Sequence, residues 1–259
     1  MSGMETRPKL RMSQERFGKL ECTVLAPLAT ARPPRFCTIL CHGFGAPGND
    51  LVALGPDLAA MCPEQAGDVL FVFPQGPLDL EKSGLLGARA WWMIDIERFQ
   101  RSLDRPDKMA RFRQEVPDGM PESSHLMREL VADVRRQTGI PPGRTLLGGF
   151  SQGSMVAIDV ALRLPEPPAA LCVFSGTLLA QEEWQSLAQK RGPLKVLQSH
   201  GYFDPILPFS GAEALRNLLT EAGLDVDFLP FDGPHTIPYE ALERLALLMR
   251  RVFNEPSGT

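Results

Sequence analysis

No apolar run among the 259 residues approaches the length of a membrane span, so the sequence offers no segment for stable membrane insertion. Excess positive charge is missing too. The 27 Lys and Arg stand against 31 Asp and Glu, and a formal net charge of −4 provides no field for nucleic acid. The cysteines, Cys22, Cys37, Cys41, Cys62 and Cys172, are odd in number, irregularly spaced and without a C-x-x-C pair. That argues against a disulfide framework and a metal site, and reads as reduced core thiols in a reducing compartment. The N-terminal stretch M-S-G-M-E-T-R-P-K-L-R-M lacks the apolar core of a signal peptide, so a cytoplasmic location is expected. Histidine is scarce: only His42, His125, His200 and His235 are present.

What is there suits one globular domain, with 44% hydrophobic and 22% charged residues. Residues 1–18 are polar and expected to be flexible, ahead of a domain over 19–255. Strands are predicted over 20–26, 36–41, 68–73, 145–149, 169–175, 194–199 and 226–231, several of them continuous apolar runs that fit burial on both faces. Helices are predicted from 49 or 50 to about 61, and over 122–138, 152–164, 181–190, 209–221 and 238–253. Strand and helix alternate with short connections, which predicts an α/β fold: a mostly parallel central sheet with helices on both faces, in a single domain. Residues 75–120 fit this alternation less well. Within them, 97–120 is rich in charge and reads either as a cap or flap insertion or as an ordinary solvated helix.

Residues 147–154 read L-G-G-F-S-Q-G-S, between a predicted strand and a predicted helix. G-F-S-Q-G fits G-x-S-x-G, in which a sharp strand-to-helix turn presents a serine at the carboxyl edge of a sheet. The plainer alternative is a glycine-rich turn or a phosphate cradle, but neither G-x-x-x-x-G-K-[ST] nor G-x-G-x-x-G is met at this serine. A serine nucleophile needs a base, and in this fold the order is Ser, then Asp or Glu, then His. His42 and His125 precede Ser151 and fail on order. His200 ends a strand with Asp204 after it, and His235 is the only histidine beyond that acid. Ser151, Asp204 and His235 then all fall at carboxyl ends of strands, where open α/β sheets bind ligands. Asp225, Asp227 and Asp232 are poorer choices, being on or before the last strand or too near His235 in sequence. Asp204 could instead be a turn residue before Pro205, and His235 a capping or surface residue. Oxyanion donors are expected from the backbone N–H groups of Gln152 and of Phe44, in the early loop H-G-F-G.

With these residues in hand, the sequence resembles the phospholipase/carboxylesterase family of α/β-hydrolases, a group that includes acyl-protein thioesterases and lysophospholipases. I-L-C-H-G-F-G, G-G-F-S-Q-G-S, H-G-Y-F-D-P-I-L-P and F-D-G-P-H-T-I-P carry the resemblance, over about residues 36–253. It implies a catalytic Ser151–Asp204–His235 triad with Phe44 and Gln152 as oxyanion donors, and R-A-W-W places Trp91 near the site. Met93 and Ile94 between the Trp pair and Asp95, the long charged stretch after 97, and Pro234 before His235 depart from the usual pattern. These departures bear on substrate rather than on chemistry.

The expected activity is a serine carboxylesterase acting on short- to medium-chain acyl or aryl esters through an acyl-enzyme, with no metal or organic cofactor. Thioesters and lysolipids are alternative substrates of the same triad, and a catalytically silent binding protein is the reading from a different class. Trp91, Trp92, Ile206 and Leu207, with Leu85, Leu86 and Phe209, flank the expected site as candidate substrate-binding residues. Each taken singly is more readily explained as core. Apolar surface around Trp91 would serve a homodimer or a substrate groove.

Overall fold

The computed structural model describes residues 9–28, 32–95 and 106–255. Its strands are β1 Leu10–Phe17, β2 Leu20–Pro27, β3 Phe36–Cys41, β4 Val69–Pro74, β5 Leu78–Asp79, β6 Arg89–Ala90, β7 Thr145–Phe150, β8 Ala170–Phe174, β9 Lys195–Gly201 and β10 Asp225–Phe231. Its helices are α1 Leu54–Met61, α2 Pro106–Gln114, α3 Met120–Thr138, α4 Gln152–Arg163, α5 Gln181–Ala188, α6 Phe209–Glu221 and α7 Tyr239–Asn254. One sheet has the order β1-β2-β4-β3-β7-β8-β9-β10. From β4 to β10 along that order neighbours are parallel, while β2 runs antiparallel to β4 and β1 antiparallel to β2. This is the mostly parallel, doubly covered sheet of an α/β-hydrolase fold.

Alternation along β3 shows how the sheet divides the core. Cys37, Ile39 and Cys41 belong to the core shared with α3, α4, α5 and α6, whereas Phe36 and Leu40 belong to the core shared with α1 and α7. A strand covered on both faces can be apolar at every position, which is why F-C-T-I-L-C carries no polar alternation. In α7, Leu242, Leu245, Ala246, Met249 and Val252 are buried at helical spacing, and one stripe of an otherwise charged helix is enough to hold it. The five cysteines are free and buried. Burial pushes the Cys22 thiol up to about 12 and raises those of Cys37, Cys41 and Cys172 as well.

One expectation is corrected. Residues 10–17, read as part of a flexible N-terminal segment, form edge strand β1 and pair with β2 from Leu10↔Pro27 to Phe17↔Leu20. The hairpin turn uses Gly18 at φ 59°, and the Gly18 N–H donates to Asp133 Oδ2 at 2.6 Å, which ties the hairpin to α3. The sequence signal was weak because an edge strand with one pairing partner keeps polar residues along most of its length, and Phe17 alone is fully buried. Of the charged stretch 97–120, residues up to 105 lie outside the described residues. The remainder begins with helix α2 and leads into α3.

Candidate active site

Ser151 joins β7 to α4 at φ 54°, ψ −123°. Such a backbone conformation costs about 1–3 kcal/mol for an L residue and persists only where its surroundings fix it. Here the Ser151 N–H donates to the Phe174 carbonyl of β8 at 2.8 Å, and the Ser151 carbonyl accepts from Ser154 N–H and Oγ at 3.0 and 2.7 Å. The flanking glycines are required by contact. A Cβ on Gly149 would lie 2.5 Å from the Cys41 carbonyl oxygen, and one on Gly153 would run into the same carbonyl. Both obstacles are backbone and cannot swing aside. Gly153→Ala is therefore expected to lower stability by about 3 kcal/mol, read as a fall in the urea midpoint without a change in slope.

Asp204 lies just past β9, its carboxylate wholly enclosed. Oδ1 accepts the N–H groups of Ile206 and Leu207, both at 2.8 Å, and Oδ2 accepts His235 Nδ1–H at 2.6 Å. Burial by itself would raise the Asp204 pKa. The bonds from His200, His235 and the Leu207 amide outweigh it and hold the carboxyl well below its usual range. Since an ionised carboxylate only accepts, the His235 proton sits on Nδ1 and leaves Nε2 as the basic nitrogen. The loop carrying His235 is fixed to its neighbours. Tyr202 N–H donates to Phe231 O at 2.9 Å, Phe203 N–H to Gly233 O at 3.1 Å, and Ser175 Oγ to Thr236 O at 3.1 Å. Phe150 packs against the His235 ring at 4.6 Å between centroids. Among the described residues no hydrogen bond joins the Ser151 hydroxyl to His235, a bond that often tightens only when substrate is present.

Gln152 is the first residue of α4, so its N–H has no carbonyl within the helix to take it. Its side chain is fully buried and clamps the Trp pair: Trp91 N–H donates to Gln152 Oε1 at 2.9 Å, and Gln152 Nε2 donates to Trp92 O at 2.8 Å. His42 braces the opposite loop. It accepts Gly76 N–H on Nε2 at 2.9 Å, which puts its own proton on Nδ1, 2.8 Å from Gly43 O. Burial keeps its pKa below the usual histidine value.

A cavity of about 540 Å³ opens beside these groups, lined by Gly43, Phe44, Ser151, Gln152 and His235. Trp92, Ile206 and Leu207, expected in a substrate-binding wall, also line it. Trp91 does not: at 1% exposure it stands behind the wall, its indole N–H donating to His42 O at 2.9 Å and its carbonyl accepting from Ser123. A buried indole must satisfy its donor, and that partner lies inward, so Trp91 supports the loop rather than presenting a surface. Leu85 and Leu86 are exposed and away from the cavity, and Phe209 packs on Tyr202 and Phe228 instead. Ile94, Phe112, Met155 and Leu179 are wall residues that the sequence reading missed. Met155 was findable, one helical turn beyond Ser151 on the same face. Phe112, Glu115, Pro117 and Asp118 come from the charged stretch, whose described part thus forms one side of the cavity. Among the described residues no group of three or more His, Cys, Asp or Glu is placed to hold a metal ion, and no helix is long and apolar enough to cross a membrane.

The sequence model of a family described as Phospholipase/Carboxylesterase matches residues 28–251. Acyl-protein thioesterase 1 of Eremothecium gossypii is 28% identical over 193 residues, 74% of this chain and 76% of that protein. Acyl-protein thioesterase 1 of Schizosaccharomyces pombe is 27% identical over 223 residues, 84% and 91% of the two chains. Among solved structures, esterase PE8 superposes with a TM-score of 0.72 at 29% identity, covering 93% of this chain and 99% of its own. SOBER1 of Arabidopsis thaliana, with a TM-score of 0.69 at 19% identity over 85% and 100% of the two chains, is alike in fold.

Proposed function

The chain belongs to the phospholipase/carboxylesterase family and is a carboxylesterase-type hydrolase acting on esters or thioesters, and on that premise we propose that Ser151, His235 and Asp204 are its catalytic triad. Ser151 Oγ attacks the acyl carbonyl carbon while its proton passes to His235 Nε2. Asp204 holds the imidazole tautomer and stabilises the imidazolium. The oxyanion accepts the N–H groups of Phe44 and Gln152, each of which contributes about 3 kcal/mol to the barrier reduction. His235 then protonates the departing oxygen or sulfur, and water reverses these steps to release the acid. The 2.6 Å bond from His235 Nδ1 to an enclosed, ionised Asp204 is the observation that carries this reading, because it leaves a basic Nε2 in the cavity that Ser151 lines.

The substrates proposed are carboxylic esters with short- to medium-chain acyl or aryl groups, received against the apolar wall of Trp92, Ile206 and Leu207. A second reading, an acyl thioesterase, is favoured by the names of the curated relatives. Hydrolysis of p-nitrophenyl esters from acetate to decanoate, beside matched thioesters and lysolipids, separates the two. A maximum in kcat/KM on the oxygen esters at intermediate chain length is expected, and a preference for thioesters at equal acyl length selects the second reading. Covalent labelling of Ser151 by a fluorophosphonate is expected in either case. Failure to label would favour a catalytically silent binding protein on the same fold.

A further inference from the structure

His200 fails as the triad base on chain order, yet it touches the triad. It is the penultimate residue of β9, its side chain wholly enclosed, with Nε2 3.2 Å from Asp204 Oδ2 and 2.8 Å from Leu207 O. Both neighbours are acceptors, so the proton is on Nε2 and is shared between them. Nδ1 is buried without a partner. The ring therefore makes its polar contacts on one edge, toward the acid and the turn that carries it. From this placement we infer that His200 is a positioning residue for the acid of the triad, an inference that rests on the triad reading above.

The carboxylate has two separate supports. The amides of Ile206 and Leu207 fix Oδ1, which sets the distance of the group from its own turn. They leave rotation about the Cβ–Cγ bond resisted only by what Oδ2 meets. His235 is one partner of Oδ2, but it is also the group that must be held, and its charge changes as it gains and loses a proton. His200 is the other partner and stands in a strand of the sheet. It gives Oδ2 a donor that does not take part in the reaction. By holding Leu207 O with the same N–H, it also ties the acid to the cavity wall formed by Ile206 and Leu207. The acid and the acyl wall are thereby kept in register.

The test uses near-isosteric replacements in the full-length enzyme. His200→Gln keeps an amide donor where Nε2 stood, and His200→Met has almost the same shape with no donor. His200→Met is expected to lower kcat roughly ten- to a hundredfold, the loss of one hydrogen bond to a charged group, with KM nearly unchanged. Its rate of fluorophosphonate labelling should fall in parallel. His200→Gln is expected to recover most of both rates at the same melting temperature, which a packing role alone would not produce. Equal activity of the two variants, whether both high or both low, overturns the inference. Should His200→Met not melt cooperatively, His200→Leu takes its place in the comparison. Ser151→Ala is run alongside. If that variant keeps wild-type activity the triad reading itself fails, whereas an inactive Ser151→Ala with a fully active His200→Met defeats only the role of His200.

Discussion

Replacing Ser151 with alanine is expected to lower kcat on a p-nitrophenyl ester by a factor of about a million, with KM little changed. The size follows from what is removed. Without Oγ there is no covalent intermediate, and the proton acceptor on His235 has nothing to activate. What remains is the proposed pair of backbone donors at Phe44 and Gln152 and the cavity itself, which together should sustain a residual acceleration of about a thousand- to ten-thousandfold over water. The fold should be untouched. Alanine keeps the Cβ that the turn at φ 54° already accommodates, and the anchoring bonds of residue 151 are made by its backbone N–H and carbonyl. A melting curve matching wild type beside a lost activity would assign the chemistry to Ser151. Equal rates in the two proteins would make it only a turn residue.

Asp204→Asn is expected to cost about ten-thousandfold in kcat, and for a different reason. The amide nitrogen can donate to His235 Nδ1. That moves the imidazole proton to Nε2 and turns the base into a donor facing Ser151. The same variant has a signature in stability. The folded-state pKa of Asp204 lies below its unfolded value, so its ionisation stabilises the fold above the unfolded pKa, and that contribution is lost as pH falls toward the folded value. Wild type should therefore lose stability more steeply than Asp204→Asn between about pH 5 and pH 3. Parallel acid-denaturation curves for the two proteins would show that the carboxylate is not held as described.

Much of this was legible in the sequence because the informative positions are constrained by backbone. The apolar runs of β3, β4, β7 and β8 are what strands covered on both faces require. Gly149 and Gly153 are fixed by the Cys41 carbonyl that lies against both. Chain order and placement at strand ends brought Asp204 and His235 forward, and they meet at 2.6 Å. The losses have physical causes as well. β1 is polar because it is an edge, and Trp91 looks like a pocket residue until its indole finds a partner on the inner side. His200 was set aside by a rule about sequence order, which is silent on side chains that serve the acid rather than the serine. Phe112 and Leu179 reach the cavity from segments far apart in the chain, and no local pattern marks such a meeting.

The proposed triad and Phe44 come from four strand ends: Phe44 after β3, Ser151 after β7, Asp204 after β9 and His235 after β10. No two of these strands that follow one another in the chain supply the whole set, and β10 lies at the far margin of the sheet. In chain order the proposed nucleophile and its elbow come well before the proposed base. On the proposed triad, hydrolysis therefore needs the edge strand β10 in place, because the base sits in the loop that follows it.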